Sequence, residues 1–117
     1  MCVGRGLIMK GIGIDIESVS RLSDKVADKI LSKKEMSEFN SYLKTDRERA
    51  MEFLGGRLAA KEAYLKAIGV GTYEGINLTD ISVYKDINGV PRFKGTPNAR
   101  LTLSHDAGVA VAVVVIE

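Results

Sequence analysis

The sequence has few of the residues that build disulfide scaffolds or metal–thiolate sites. Its 117 residues include one cysteine, one histidine, two prolines and no tryptophan. The single cysteine, Cys2, excludes a disulfide within the chain and leaves a thiolate metal site without further ligands. Such a composition is typical of proteins in a reducing compartment, so we expect a cytoplasmic location.

Long apolar segments and a large excess of one charge are also missing. The longest apolar run, 108–116, is far too short to cross a bilayer, and the N-terminus lacks the long apolar segment of a signal peptide. Because the net charge is only +2, neither a nucleic acid nor a membrane is indicated as a partner. Met9 is an alternative start, which would make residues 1–8 a leader that carries no function.

The patterning that is present predicts one domain spanning 1–117. The segment 10–16 (KGIGIDI) alternates small and β-branched residues and predicts a short buried strand. Apolar periodicity then predicts three helices, at about 19–30, 33–43 and 46–68.

Capping signals mark the ends of these helices. Ser18 or Ser20 is the expected cap of the first. Ser32 and Thr45 each precede a glutamate by three positions, which is the capping-box pattern, so both are expected to cap the helix that follows. Gly69 suits the left-handed position that ends the last helix.

The C-terminal part predicts two strand pairs. Segments 81–85 and 90–94 flank Asn88-Gly89, a hairpin turn signal, and segments 100–105 and 108–116 flank Asp106-Ala107. The last strand is apolar on both faces, so it is expected to be buried either inside the fold or against another subunit. The predicted class is α+β, with helices packed on a mainly antiparallel sheet.

The longest predicted helix, FLGGRLAAKEAYLKAIG, keeps charged residues beside its apolar stripe. At about 100° per residue, Lys61 projects onto this stripe, Glu62 lies at its border, and Lys66 is one turn further on. Arg57 and Arg49 extend a basic surface toward the start of the helix. The stripe itself comprises Met51, Leu54, Leu58, Leu65 and Ile68.

Each of these charges has an ordinary structural interpretation. Glu62 and Lys66 would form a surface pair at i,i+4 spacing, and Lys61 would lay its methylene stem over apolar surface and extend its ammonium to water. Gly55-Gly56 argues for something more, because each glycine inside a helix costs ~1 kcal/mol against alanine. We therefore expect another part of the chain to approach the helix backbone closely there.

Two acidic residues suit a divalent cation. Asp15 interrupts an otherwise apolar strand, where a carboxylate is costly unless it caps a helix, pairs with a cation or binds a metal. Together with Glu62 it would supply hard oxygen ligands for Mg²⁺, which commonly takes one or two carboxylates, water and substrate phosphates. The basic residues Lys66, Arg57 and Arg49 would then bind the remaining phosphate charge.

The segment LTLSH (101–105) contains the only histidine. Ser104, His105 and Asp106 do not form a hydrolase triad, because adjacent strand residues point to opposite faces. His105 is either structural or a hydrogen-bond donor to phosphate.

Three segments resemble one known family. GIGIDIESVSR (11–21), GRLAAKEAYLKAIGVG (56–71) and LTLSHDAGVAVAVVVIE (101–117) are similar, in order and at the family's spacing, to holo-acyl-carrier-protein synthase, the small 4'-phosphopantetheinyl transferase of bacterial fatty-acid synthesis. The resemblance implies transfer of the phosphopantetheine arm of coenzyme A to a serine of apo-acyl carrier protein, with adenosine 3',5'-bisphosphate as the by-product.

The resemblance also implies roles for individual residues. Asp15 and Glu62 would hold Mg²⁺ against the coenzyme A diphosphate and, with Lys66, would form the catalytic group. The other coenzyme A contacts would be Arg49, Arg57, Gly69, Ser104 and His105, with Gly71 continuing the glycine loop.

Partners follow from the same resemblance. Arg21, extended by Lys25 and Lys29 at i+4 spacing, would face the acidic carrier protein, unless these are only solvated helix residues. The family implies a homotrimer with active sites between subunits. The alternatives are a non-catalytic module that binds a nucleotide or coenzyme A, a small Mg²⁺ phosphohydrolase, and a purely structural domain.

Overall fold

A computed structural model describes residues 8–69 and 75–117 of the chain. Cys2, Gly71 and all but the last residue of the expected leader lie outside these described residues. Within the described residues, no helix combines the length and apolarity needed to cross a membrane.

One antiparallel sheet forms the C-terminal half of the fold together with the first strand. Its strands are β1 (Gly11–Ser18), β2 (Val83–Lys85), β3 (Pro91–Phe93), β4 (Ala99–Asp106) and β5 (Val109–Ile116). Their order is β1-β5-β4-β3-β2, and every pair is antiparallel. The α-helices are α1 (Ala27–Ile30), α2 (Lys33–Leu43) and α3 (Arg47–Ile68). The predicted α+β class is confirmed.

The prediction of one continuous helix at 19–30 is wrong. The chain instead forms 3₁₀ turns at Val19–Arg21 and Asp24–Val26, and only α1 is α-helical. Leu22 and Ser23 adopt extended backbone angles between the two turns. The Ser23 hydroxyl accepts a hydrogen bond from the Lys25 N–H, so Ser23 makes a side-chain cap whereas Ser18 makes none. A serine that bonds its neighbouring backbone competes with helix formation.

The other helix ends follow the capping signals with one shift. Ser32 and Glu35 form the predicted capping box, and α2 has the predicted limits. Asp46, rather than Thr45, caps α3, accepting a hydrogen bond from the Arg49 N–H. Asp46 is itself a strong capping residue. Gly69 ends α3 with φ of 80°, as predicted.

Both predicted hairpins are present. In the first, the Asp86 carboxylate accepts hydrogen bonds from the N–H groups of Asn88 and Val90 and so closes the turn. In the second, the turn residues are Ala107 and Gly108, both with positive φ. The turn therefore lies one residue later than Asp106-Ala107, and Asp106 still belongs to β4.

The long helix α3 packs directly on β1 and β5. A Cβ at Gly13 would lie only 2.0 Å from the Ala63 carbonyl oxygen, so only glycine permits this approach of strand to helix. A Cβ at Gly55 would lie 3.2 Å from Val19 Cγ2 and 3.7 Å from Ala110 Cβ. The close approach expected at the paired glycines is therefore real at Gly55.

Burial around α3 is wider than one stripe. Leu54 and Leu65 are buried as predicted, but Met51 and Leu58 are only partly buried and Ile68 is 39% exposed. Small residues supply the contact with the sheet instead: Ala59, Ala60, Ala63 and Ala67. The helix is enclosed by the sheet on one side and by α1 and α2 on another.

The strand expected at 10–16 is buried on one face only. Gly11 and Gly13 face α3, whereas Ile12, Ile14 and Ile16 are 60%, 59% and 65% exposed on the opposite face. β5 continues this open face, where its valines pair with the three isoleucines in register (Val111, Val113 and Val115). We call these six residues the outer sheet face. The prediction that β5 is buried on both faces inside the fold is therefore wrong for the described part of one chain, since none of its elements covers this face.

Candidate active site

The strand β1 delivers Asp15 to the edge of α3. Because side chains alternate along a strand, Asp15 shares the α3-facing side with Gly11 and Gly13. The Lys66 ammonium donates to Asp15 Oδ1 at 3.1 Å and to the Ile14 carbonyl at 3.0 Å. Lys66 thus pairs with a residue of β1, and this pair fulfils the ion-pair interpretation of Asp15.

Glu62 lies one helical turn before Lys66 and close enough to Asp15 for their charges to interact. Its pKa is raised by partial burial and by the negative charge of Asp15, against the opposing charge of Lys66. The structure therefore brings together Asp15, Glu62 and Lys66, as the sequence predicts.

A third carboxylate, Glu17, belongs to the same group and is absent from the sequence-based site. It follows Asp15 by two residues on β1, so it lies on the same face of the strand. Burial, a polar interaction with Asp15 and the negative charges of Asp15 and Glu62 raise its pKa to about 8, and Lys66 opposes this. The i,i+2 spacing within GIGIDIES was the signal that would have predicted it.

The donor set fits a hard divalent cation such as Mg²⁺. Asp15 Oδ2 is buried and has no hydrogen-bond partner among residues 8–69 and 75–117, so one carboxylate oxygen is available to a ligand. At neutral pH Glu17, with its pKa of about 8, is largely protonated, so Asp15 and Glu62 are the carboxyl groups that can supply negative charge beside Lys66. Across residues 8–69 and 75–117, no group of three such side chains is close enough to hold an ion by itself.

A cavity of about 310 Å³ lies between α3 and the two hairpins. It is lined by basic, aromatic and hairpin residues, among them Arg49, Arg57, Lys85, His105, Tyr42, Phe53, Gly89 and Pro91. The Arg57 guanidinium stacks over the Phe53 ring at 4.4 Å, and that of Arg49 over the Tyr42 ring at 5.1 Å. Cations with flat rings beside them suit a nucleotide phosphate and its base.

The other predicted coenzyme A residues lie outside this cavity. Ser104 is exposed and lies next to His105 on β4, so the two point to opposite faces. Gly69 is at the end of α3 and does not line the cavity. Of the predicted contacts, Arg49, Arg57 and His105 share the cavity, and Lys66 belongs to the carboxylate group.

Arg21 and Lys25 are both exposed, as a docking surface requires. They lie on separate 3₁₀ turns, and Lys29 lies on α1. The i+4 spacing along one continuous helix, on which the shared basic face was predicted, therefore does not exist.

Lys61 is the clearest departure from the sequence prediction. Its ammonium does not reach water: it is fully buried and donates to Glu35 Oε1, the Ile30 carbonyl and the Leu78 carbonyl. Glu35, predicted only as a capping residue, is also buried. A lysine on the core stripe of a helix, with one capping glutamate upstream, was the only signal of this pair.

Known proteins match nearly the whole chain. The family model described as the 4'-phosphopantetheinyl transferase superfamily matches residues 11–114. A holo-[acyl-carrier-protein] synthase of Campylobacter hominis is 38% identical over 91% of this chain and 96% of its own length. The corresponding protein of Staphylococcus saprophyticus is 34% identical over 94% of this chain and 99% of its own.

The same similarity holds in three dimensions. The crystal structure of a holo-(acyl-carrier-protein) synthase from Bacillus anthracis, in complex with CoA (3',5'-ADP), superposes with a TM-score of 0.84. The two chains are 36% identical, over 95% of this chain and 98% of that one.

Proposed function

The chain belongs to the 4'-phosphopantetheinyl transferase superfamily, and on this basis we propose that it is a holo-acyl-carrier-protein synthase. It transfers the 4'-phosphopantetheine group of coenzyme A to a serine of apo-acyl carrier protein and releases adenosine 3',5'-bisphosphate. The observation that carries the proposal is the meeting of Asp15 and Lys66, with Glu62 beside them, at the junction of β1 and α3.

The proposed transfer is a direct displacement at phosphorus. The carrier serine oxygen forms a bond to the phosphorus that bears pantetheine, and the bond from that phosphorus to the bridging oxygen breaks. Adenosine 3',5'-bisphosphate leaves with the bridging oxygen. Holding two large reactants in line supplies much of the acceleration.

Asp15, Glu62 and Lys66 would each have a role in this transfer. Asp15 and Glu62 would hold Mg²⁺, which when bound neutralises the diphosphate. Glu62, with its raised pKa, would also take the proton of the attacking serine, either directly or through a water that it orients. Lys66 is largely exposed and would place its ammonium on the diphosphate and stabilise charge on the leaving group.

The cavity is the proposed nucleotide site. Arg57, Arg49 and His105 would bind the phosphates of the adenosine end, and the rings of Phe53 and Tyr42 border the same space. Roles for Ser104 and Gly69 rest on resemblance alone.

A homotrimer with active sites between subunits would account for two features of the chain: its cavity and its carboxylates face different directions, and its outer sheet face is exposed. Arg57 and Glu62 are five positions apart, so their side chains point about 140° apart around the helix. The cavity and the carboxylates of one chain thus face different directions. A second copy packed on the outer sheet face, whose exposed isoleucines are otherwise costly, would bring one chain's cavity beside another's carboxylates.

The carrier protein would dock at the exposed Arg21 and Lys25, whose positive charge complements an acidic partner. Both residues lie on the segment that leads from β1, the strand of Asp15, to α1. A cytoplasmic location and a single domain over 1–117 complete the proposal.

Mass spectrometry of an apo carrier protein, incubated with the purified chain, coenzyme A and Mg²⁺, tests the reaction. We expect the carrier to gain the mass of phosphopantetheine and adenosine 3',5'-bisphosphate to appear in equal amount. Release of nucleotide without carrier would indicate a phosphohydrolase instead. Binding of coenzyme A with no product would indicate a non-catalytic module.

A further inference from the structure

A buried group of three charges adjoins the cavity, and two of its members, Glu35 and Lys61, have no role in the function proposed above. Glu35, Lys61 and Arg57 are 2%, 0% and 4% exposed. They come from two elements, since Glu35 lies on α2 and the two cations lie on α3. With one negative and two positive charges, the group has an excess of one positive charge, and only Arg57 lines the cavity.

Lys61 is held as an ammonium ion by its partners. Nζ donates to Glu35 Oε1 at 2.6 Å, to the Ile30 carbonyl at 2.6 Å and to the Leu78 carbonyl at 3.0 Å. All three partners are oxygens that only accept, so each requires one of the three N–H donors of an ammonium. Burial lowers the pKa of Lys61, and the charge of Glu35 opposes this.

Glu35 is satisfied without Arg57. Besides Lys61, its carboxylate accepts from the Ser32 N–H and the Val83 N–H, each at 2.8 Å. Arg57 Nε forms an ion pair with Glu35 Oε2 at 3.8 Å, beyond hydrogen-bond distance, and it is buried without a hydrogen-bond partner among the described residues. A buried N–H without a hydrogen-bond acceptor is costly, and an anion in the cavity would accept from it.

We propose that Lys61 is a positioning residue for the nucleotide site: by neutralising Glu35, it leaves the charge of Arg57 available to a phosphate in the cavity. Without Lys61, Arg57 would be the only cation left beside Glu35 in the part of the chain that the structure describes. Attraction between buried charges is strong, and Nε has less than about 1 Å to move before it reaches hydrogen-bond distance. Arg57 would then pair with Glu35 instead of the ligand. This inference rests on the proposed function, which places a phosphate there.

The test is calorimetric binding of adenosine 3',5'-bisphosphate, which binds without reacting. We expect Lys61→Met to weaken binding about tenfold or more, because Glu35 then competes with the ligand for Arg57. Adding Glu35→Gln to Lys61→Met removes the competitor and should restore affinity to within about threefold of wild type. Lys34→Met, at an exposed lysine of α2, is the matched control and should bind as wild type does.

The outcomes separate this inference from a structural role and from the proposed function. A merely structural lysine predicts that the double variant binds no better than Lys61→Met, and that result overturns the inference, as does unchanged binding by Lys61→Met. If wild type itself does not bind the bisphosphate, the nucleotide site fails and the inference fails with it.

A measurement on the wild-type protein does not depend on whether Lys61→Met and the double variant fold. The Arg57 Nε–H signal in a ¹⁵N-edited NMR spectrum, assigned by its loss in Arg57→Lys, should shift when adenosine 3',5'-bisphosphate is added. A signal that stays in place at saturating ligand contradicts the inference.

Discussion

At the junction of β1 and α3, acidic side chains lie close together in a partly buried place. Asp15 interrupts a strand of glycine and isoleucine and is largely buried, which is costly for a carboxylate. Lys66 offsets part of this cost, whereas the nearby Glu62 repels the charge of Asp15; burial and the charges of these two carboxylates raise the pKa of Glu17 to about 8, so Glu17 holds a proton at neutral pH. Groups with perturbed pKa values gathered in this way are typical of functional sites.

Replacement of Glu62 separates its chemical role from its structural one. Glu62→Gln keeps the shape of the side chain but removes the proposed metal ligand and proton acceptor, so we expect transfer to fall by about a hundredfold or more. Thermal unfolding should stay within a few degrees of wild type, because the side chain is only partly buried. Glu48→Gln, an exposed position on the same helix, is the control. Near-normal turnover by purified Glu62→Gln would remove Glu62 from the chemistry.

The raised pKa of Glu17 predicts a pH dependence of stability in metal-free protein. The folded-state pKa is about 8 against an ordinary value of 4.5, so the folded protein holds a proton that the unfolded chain releases in this interval. Stability therefore falls as pH rises from about 4.5 to about 8 and levels off above it. Glu17→Gln should flatten this dependence in calorimetric unfolding in EDTA. An equal slope in the variant would assign the effect to other groups.

The helix and strand that carry these residues are positioned by the absence of side chains between them. Gly11 and Gly13 allow β1 to lie against the carbonyl oxygens of α3, and this contact sets the spacing between Asp15 and Glu62. The buried Lys61–Glu35 pair joins α3 to α2 from the other side. The geometry of the site is therefore a property of how these elements pack.

Gly13→Ala tests the contact between these elements. The added Cβ would lie 2.0 Å from the Ala63 oxygen and 2.7 Å from the Ala67 nitrogen, both backbone atoms that cannot rotate away. We expect a loss of about 2–3 kcal/mol in urea unfolding. Gly56→Ala is the matched control, since its Cβ would meet only His105 Nε2, at 3.9 Å, and alanine favours a helix by ~1 kcal/mol. Equal stability of the two variants would refute the close-approach argument.

At the scale of the molecule, the helices that the structure describes all pack on the same side of the sheet. The outer sheet face presents Ile12, Ile14 and Ile16 beside the valines of β5. Exposed apolar patches of this kind commonly mark an interface. Together with the different directions of the cavity and the carboxylates, this face supports assembly of several copies.

Introducing a charged side chain on the outer sheet face tests whether the chains assemble through it. Light scattering should give wild type three times the mass of one chain, whereas Ile14→Asp should give a monomer with little transferase activity, because burying an unpaired carboxylate is costly. Ile87→Asp is the control, since Ile87 is 98% exposed at a hairpin tip. A monomeric wild type, or a trimeric Ile14→Asp, would contradict the assembly.

Local signals in the sequence determined much of the fold. The limits of α2, the end of α3 at Gly69 and both hairpins depend on hydrogen bonds and backbone angles of neighbouring residues, so the pattern of caps and turns predicted them. The broken helix at 19–30 escaped this reasoning because the Ser23 cap competes with apolar periodicity. The pairing of Asp15 with α3 was predicted from charge placement together with family resemblance.

Only the tertiary structure decided which charges are buried and what they contact. The periodicity that placed Lys61 on the core stripe could not find Glu35, a residue of another helix, or the carbonyls of Ile30 and Leu78. Likewise, Ile14 looks the same in a buried strand and on an open sheet face. Burial and electrostatics depend on segments distant in sequence, whereas caps, turns and strand alternation depend on neighbours.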